Sequence, residues 1–146
     1  MSDAPAPEAL VRAVPFAGEL GIVVEEAAPA RVRAALAWAP ERCTVGGSLH
    51  GGALMALADT AGAVCAFLNL PPGASTSTVE SKTNFFRAVR SGTVHAEAHP
   101  VHVGRSFVAV RTDLRDEDGT LVGQTTQTQA VLTGAGRTDA GAAART

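Results

Sequence analysis

The sequence predicts an α+β fold in which an antiparallel six-stranded sheet wraps around one long central helix. Three observations carry that prediction. Residues 49–70 are the longest apolar stretch of the chain, and their apolar side chains recur at helical spacing. Two segments before this stretch and four after it have the length, the Val, Thr and Phe content and the flanking turn residues of strands. The 146 residues are 46% hydrophobic and 18% charged, which suits one domain with a real core and excludes wholesale disorder.

Taken in order, residues 1–7 are Pro- and Ala-rich and are expected to be a mobile tail. Residues 8–14, following Pro5 and Pro7, can form a short helix ahead of "PFAGELG". "GIVVEEAA" is the first strand. "ARVRAALAW" is the second, alternating so that Val32, Ala34, Leu36 and Trp38 share one face, with "PARV" as the hairpin link. "APERCTVGGSLHGG" is a loop of turn residues. The folded domain is expected over residues 8–132, and residues 133–146 lack apolar periodicity and read as a second mobile tail.

The long helix repeats Leu54, Leu57, Ala58, Ala61, Cys65 and Leu68 at i, i+3, i+4 spacing, and "LPPGAS" stops it. Its other face, Ala53, Ala56, Thr60, Ala63 and Phe67, is apolar too. A helix apolar all round is either buried on every side or in a membrane. Asp59 near mid-span would cost roughly 2.5–3.5 kcal/mol on insertion, and the flanks carry no Lys/Arg cluster or aromatic belt. A central helix inside a sheet is therefore the reading taken.

Four strand-length segments follow: "STSTVESKTNFFRAV", "GTVHAEAHPVHVG", "RSFVAVRTDLRDE" and "GTLVGQTTQTQAVL". "RSG", "VGR" and "DEDG" separate them, each short enough for a hairpin. Pro100 calls for a bulge or an edge position. Six antiparallel strands curled round one helix make an α+β fold of the kind called a hotdog.

Composition excludes several functions. Net charge is −2, and the 12 cationic residues, all arginine except Lys82, form no basic stripe for nucleic acid. Cys43 and Cys65 are the only cysteines, so neither a disulfide framework nor a CxxC site is expected. The first residues carry no basic, apolar signal pattern, and a reduced cytoplasm is the expected location. Ser48 in "GGSLH" departs from the G-x-S-x-G elbow at His50, and that elbow needs a parallel-sheet setting. His95 and His99 share a strand face with His102 opposite. Lacking Cys or a matched carboxylate, they are expected to be solvent-facing rather than metal ligands. No metal and no cofactor is expected.

The residues that remain are at the start and middle of the long helix. Gly51 and Gly52 expose backbone N–H groups at its positive end, where an oxyanion can be stabilised. His50 is either a helix-entry residue bonded to the loop or a site residue. Asp59 has no cation within a helical turn, so an ion pair along the helix does not account for it. As a carboxylate among apolar neighbours it can serve as a nucleophile or as a base on water. Gly51 and Asp59 lie ~12 Å apart along the helix. They can meet one carbonyl only if they come from different chains across a twofold interface.

With these residues in view, "LHGGALMALADTAG", with its acid nine positions after the histidine, resembles the motif of hotdog-fold acyl-CoA thioesterases. "TVESKTNFFRAV" and "DEDGTLVGQTTQTQAVL" are similar to the later strands of that family. The nearest branch is the one with the phenylacetate-pathway thioesterases and one type of 4-hydroxybenzoyl-CoA thioesterase. The resemblance covers residues 41–132. It implies hydrolysis of an acyl-CoA in a homodimer or homotetramer, with Asp59 as the catalytic carboxylate and the Gly51 amide polarising the thioester. His50 and Gly52 match pocket-shaping positions, and Thr78 matches one that sets a hydroxyl near the attacking water. Arg87, Arg90 and Arg105 are candidates for the coenzyme phosphates, and Met55, Phe85 and Phe86 for the acyl pocket. Thr44 occupies a position where relatives carry Asn or Gln, and a hydroxyl does not offer the same donor and acceptor pair. The alternatives are a non-catalytic acyl-CoA-binding module and a 3-hydroxyacyl thioester dehydratase. The dehydratase wants a His and acid pair that is not evident around Asp59.

Overall fold

The computed structural model describes residues 5–134. Its elements are α1 (Pro7–Arg12), α2 (Pro15–Leu20), β1 (Val23–Ala28), β2 (Arg31–Ala37), α3 (Gly51–Leu68), β3 (Ser75–Phe85), β4 (Thr93–Val103), β5 (Phe107–Arg115) and β6 (Leu121–Leu132). A single turn of 3-10 helix, Pro40–Arg42, lies between β2 and α3. The six strands make one antiparallel sheet in the order β1-β2-β4-β5-β6-β3. Helix α3 touches all six of them. This is the expected hotdog architecture.

The core is built from small side chains, which let helix and sheet approach closely. Leu57, Ala58, Ala61, Cys65 and Ala66 of α3 pack on Val32, Leu36, Val94, Ala96, Ala98, Val108, Val110 and Leu114. Burial pushes the Cys65 thiol up to about 11. Helix α3 has the length and mean hydropathy of a membrane span, but the sheet encloses its Leu57 and Ala61 side. Asn69 ends it by donating to the Cys65 and Pro29 carbonyls, each at 2.8 Å, and Pro71 follows.

Several expectations are corrected. Helix α1 begins at Pro7, one residue ahead of the expected start of the domain, and is anchored by the buried Leu10. Residues 1–4, and 135–146 of the second tail, lie outside the described residues. "PFAGEL", to which the sequence pattern assigns no element, is a second helix, one turn and a half long and too short to show a period. β3 does not form a hairpin with β4: it crosses to the far edge and pairs with β6, so "RSG" lies in a crossover. Trp38, just past the end of β2, packs half-buried against the same core as Val32, Ala34 and Leu36, in line with the expected alternation, and its indole N–H donates to the Gly47 carbonyl at 3.0 Å. Helix α3 is not buried on every side: Gly52, Met55 and Phe67 are exposed along one stripe.

Pro100 does mark a bulge, in the interior of the sheet. The extra residue there resets the side-chain alternation. His95, His99 and His102 consequently oppose Arg115, Arg111 and Ala109, all on the outer face, so His102 is not opposite the other two. Among the described residues no group of His, Cys, Asp and Glu could hold a metal ion.

Candidate active site

Asp59 sits on the flank of α3 that meets the β6–β3 edge of the sheet. Its Oδ1 accepts from the Thr78 hydroxyl at 3.0 Å and from the Gln127 side-chain amide at 3.1 Å. Thr78 in turn accepts from Gln129 Nε2 at 2.7 Å, and the Thr76 hydroxyl lies 3.3 Å from Gln129 Oε1. Among the described residues no donor reaches Asp59 Oδ2. A carboxylate with one oxygen fixed and the other free is equipped to attack a carbon or to take a proton.

Strand alternation explains why these side chains converge. Thr125, Gln127 and Gln129 follow one another at every second position of β6 and are buried against α3. In β3 the register shifts between Thr78 and Glu80, leaving Val79 68% exposed. Thr78 pairs with Gln129 and Ser81 with Gln127, so the bulge turns both Thr78 and Ser81 toward the helix. Gly52, Met55, Ala56, Asp59, Thr78 and Ser81 then line an open cleft of about 430 Å³. On the other side of Asp59 lies a cleft of about 260 Å³, walled by Leu10, Ala13, Val14, Thr60, Ala63, Val64 and Phe67.

The start of α3 is a separate region. His50 is the N-cap residue, and its Nδ1 accepts from Gly52 N–H at 2.8 Å. That occupies one of the unpaired first-turn donors. The Gly51 N–H has no acceptor among the described residues. Gly51 lines a cleft of about 320 Å³ together with Leu49, Leu54, Phe85, Phe86, Arg87 and Val89. A Cβ on Gly51 would stand 3.3 Å from the Phe85 ring, so glycine keeps this approach open.

A family model described as the thioesterase superfamily matches residues 46–123, just over half of the chain and the part that carries Gly51, Asp59 and Thr78. The chain belongs to the thioesterase superfamily. A thioesterase from Haemophilus influenzae has the same fold with TM-score 0.84 and 28% identity, over 90% of this chain and 93% of that one. The proofreading thioesterase EntH of Klebsiella pneumoniae is 37% identical over 73 residues, 50% of this chain and 53% of the relative. A mutant of the phenylacetic acid degradation protein PaaI from Thermus thermophilus is similar with TM-score 0.73 and 29% identity, over 80% of this chain and 97% of that one. This thioesterase is thus a thioester hydrolase, as the motif implied.

The thioesterase fold brings some of the expected site residues together and separates others. Asp59 and Thr78 are in contact. His50, Gly51 and Gly52 form the helix start, with Arg87, Phe85 and Phe86 beside Gly51 and Met55 beside Asp59. Thr44 is exposed, and its N–H donates to the Ser48 carbonyl at 2.8 Å across a loop whose tip is Gly46 and Gly47. Both glycines have positive φ, 88° and 80°, which the tight reversal requires. Arg90 uses one N–H on the Gly46 carbonyl at 2.8 Å and so braces this loop. Arg105 lies in the β4–β5 turn, at the Ser75 end of β3, while Arg87 and Arg90 lie beyond its Phe85 end.

Gln127, Gln129, Thr76 and Ser81 are contacts that sequence reasoning missed. The signal was present as an unbroken polar run at one parity of β6. It was masked because Gln124, Thr126 and Thr128 make the other parity polar as well.

Proposed function

We propose that this thioester hydrolase acts on acyl-CoA at sites assembled across a homodimer interface, RCO–S–CoA plus water giving the free acid and CoA. The register on α3 carries the reading. An unpaired N–H at Gly51 and a half-free carboxylate at Asp59 are eight residues apart, ~12 Å along the axis. Reaction needs the groups within ~3–3.5 Å of one centre. The Gly51 N–H of one protomer and the Asp59 carboxylate of another meet that requirement, and a twofold axis makes two such sites. The uncovered stripe of Met55, Ala56, Ala63 and Phe67 supports burial of this face against another copy.

In this arrangement the Gly51 N–H, at the positive end of α3, stabilises negative charge that develops on the thioester oxygen. Thr78 orients Asp59. Asp59 Oδ2 either adds to the carbonyl carbon, expelling CoA thiolate and leaving an anhydride for water to open, or takes a proton from the water that adds. His50 holds the first turn in place by accepting from the Gly52 N–H through its ring nitrogen. Arg87 is the arginine of the three best located for a coenzyme phosphate beside Gly51, and guanidinium suits that group.

The test is an acyl-CoA panel, aliphatic and aromatic, followed by release of free thiol. Asp59→Asn and Asp59→Ala are expected to abolish release while the fold and CoA binding persist. Full activity in both variants would sink the reading. Single turnover in ¹⁸O-water separates the two chemistries, since only the anhydride route carries label into Asp59.

A further inference from the structure

We infer that Gln127 is a positioning residue for the hydrolytic reaction, and that Gly62 is a glycine in order to let Gln127 reach Asp59. The inference rests on the role of Asp59 given above. Gln127 is 2% exposed, in line on β6 with the equally buried Thr125 and Gln129, at the edge of a core that is otherwise mostly Ala, Val and Leu. Its Nε2 donates to Asp59 Oδ1, while its Oε1 is buried with no hydrogen-bond partner among the described residues. Turning the amide over would satisfy neither group, because Oε1 would then face a carboxylate oxygen. A buried amide with one half unsatisfied is unfavourable for folding, and an apolar side chain of similar volume avoids that cost. Its presence therefore calls for a reason other than packing.

Helix α3 makes a matching concession. Gly62 stands three residues after Asp59, on the neighbouring turn of the same flank. A Cβ there would collide with the Gln127 amide, meeting Oε1 first and the amide carbon at 2.5 Å. Gly62 lies in the middle of the longest helix of the chain, where glycine is among the weakest helix formers. Removal of that one Cβ creates the slot through which the amide reaches the carboxylate. With Thr78 the second donor to the same oxygen, Oδ1 is fixed from two directions and Oδ2 is left for the reaction. Gln127 itself touches neither the open cleft beside Asp59 nor the one on its other side.

The experiment uses the full chain and the acyl-CoA it turns over fastest in the panel, with Gln127→Leu, Gly62→Ala, the double variant and Asp59→Asn. Gln127→Leu is expected to lower kcat at least tenfold with KM within twofold, while the midpoint of thermal unfolding stays level or rises. A residue that only filled space would lower the midpoint and leave kcat per folded molecule alone. Gly62→Ala is expected to lower kcat similarly, although alanine favours the helix. The double variant should be no slower than the slower single one, since the collision disappears with the amide. Gln127→Met serves beside Gln127→Leu if the branched side chain packs badly. Hydrolysis lost in Asp59→Asn but undiminished in the Gln127 variants overturns this inference alone. Hydrolysis that survives Asp59→Asn overturns the reading of the site, and this inference with it.

Discussion

The two flanks of α3 face the same sheet but meet it with opposite chemistry. Toward β2, β4 and β5 the contact is made by Leu57, Ala61 and Cys65 against Leu36, Val94, Ala96, Val110 and Leu114, all buried. Toward β6 and β3 the helix offers Asp59 and Gly62, and the strands answer with Thr76, Thr78, Ser81, Gln127 and Gln129. The first flank is where apolar area leaves water, and it holds the fold together. The second buries the Gln127 and Gln129 amides, whose hydrogen bonds add little net stability, and among the described residues it leaves Gln127 Oε1 without a partner. Polar groups gathered mainly on one flank, and converging there on one carboxylate, are what a site needs rather than what a core needs.

Two substitutions on α3, two residues apart, should break the comparison most sharply. Asp59→Asn keeps the shape and the hydrogen-bonding neighbours but removes the charge. Hydrolysis should fall about 10²–10⁴-fold, the range expected for a lost acid–base or nucleophilic group, with the unfolding midpoint nearly unchanged. Leu57→Ala removes a fully buried side chain from the other flank. It should cost about 2–5 kcal/mol of stability in denaturant titration while kcat per folded molecule is retained. If both changes lowered stability and activity alike, the two flanks would not be functionally distinct.

Thr78→Val is intermediate because Thr78 belongs to both descriptions. It loses a donor to Asp59, and the buried Gln129 amide loses its acceptor. Activity should fall about tenfold or more, and stability should fall by about 1–3 kcal/mol, read from the same two measurements.

The apolar flank was far more legible in the sequence than the polar one, for physical reasons. Helical spacing exposes itself within a few turns, so Leu54, Leu57, Ala58, Ala61 and Cys65 fixed the register of α3, and Asp59 stood out as its one charge. The separation of Gly51 from Asp59 also follows from helix rise alone. Strand neighbours do not follow from local pattern. The crossing of β3 to the far edge depends on how the whole sheet closes, and short connections favoured a hairpin that does not form. Bulges at Thr78 and Pro100 shift the alternation by one, which moved Ser81 inward and His102 outward. Thr78 was reachable only through the resemblance to a family. Gln127 and Gln129 were hidden because both parities of β6 are polar, so no face announced itself as the inner one.

The smallest expected effect sharpens the comparison from the other direction. Thr112 is fully buried on β5, opposite Thr125, and its hydroxyl has no partner among the described residues. It is polar in a position facing the core, yet it belongs to no chain of hydrogen bonds that ends on Asp59. If polarity on this sheet is kept only where it serves the carboxylate, Thr112→Val should gain about 1 kcal/mol of stability, since an unpaired buried hydroxyl becomes a methyl of the same shape. Activity should be unchanged. Thr125, by contrast, already has the Thr83 hydroxyl at 2.7 Å, and valine there would leave that hydroxyl unpaired. A loss of hydrolysis in Thr112→Val at undiminished stability would extend the functional region across β5, and the boundary between the two flanks would then have to be drawn one strand further in.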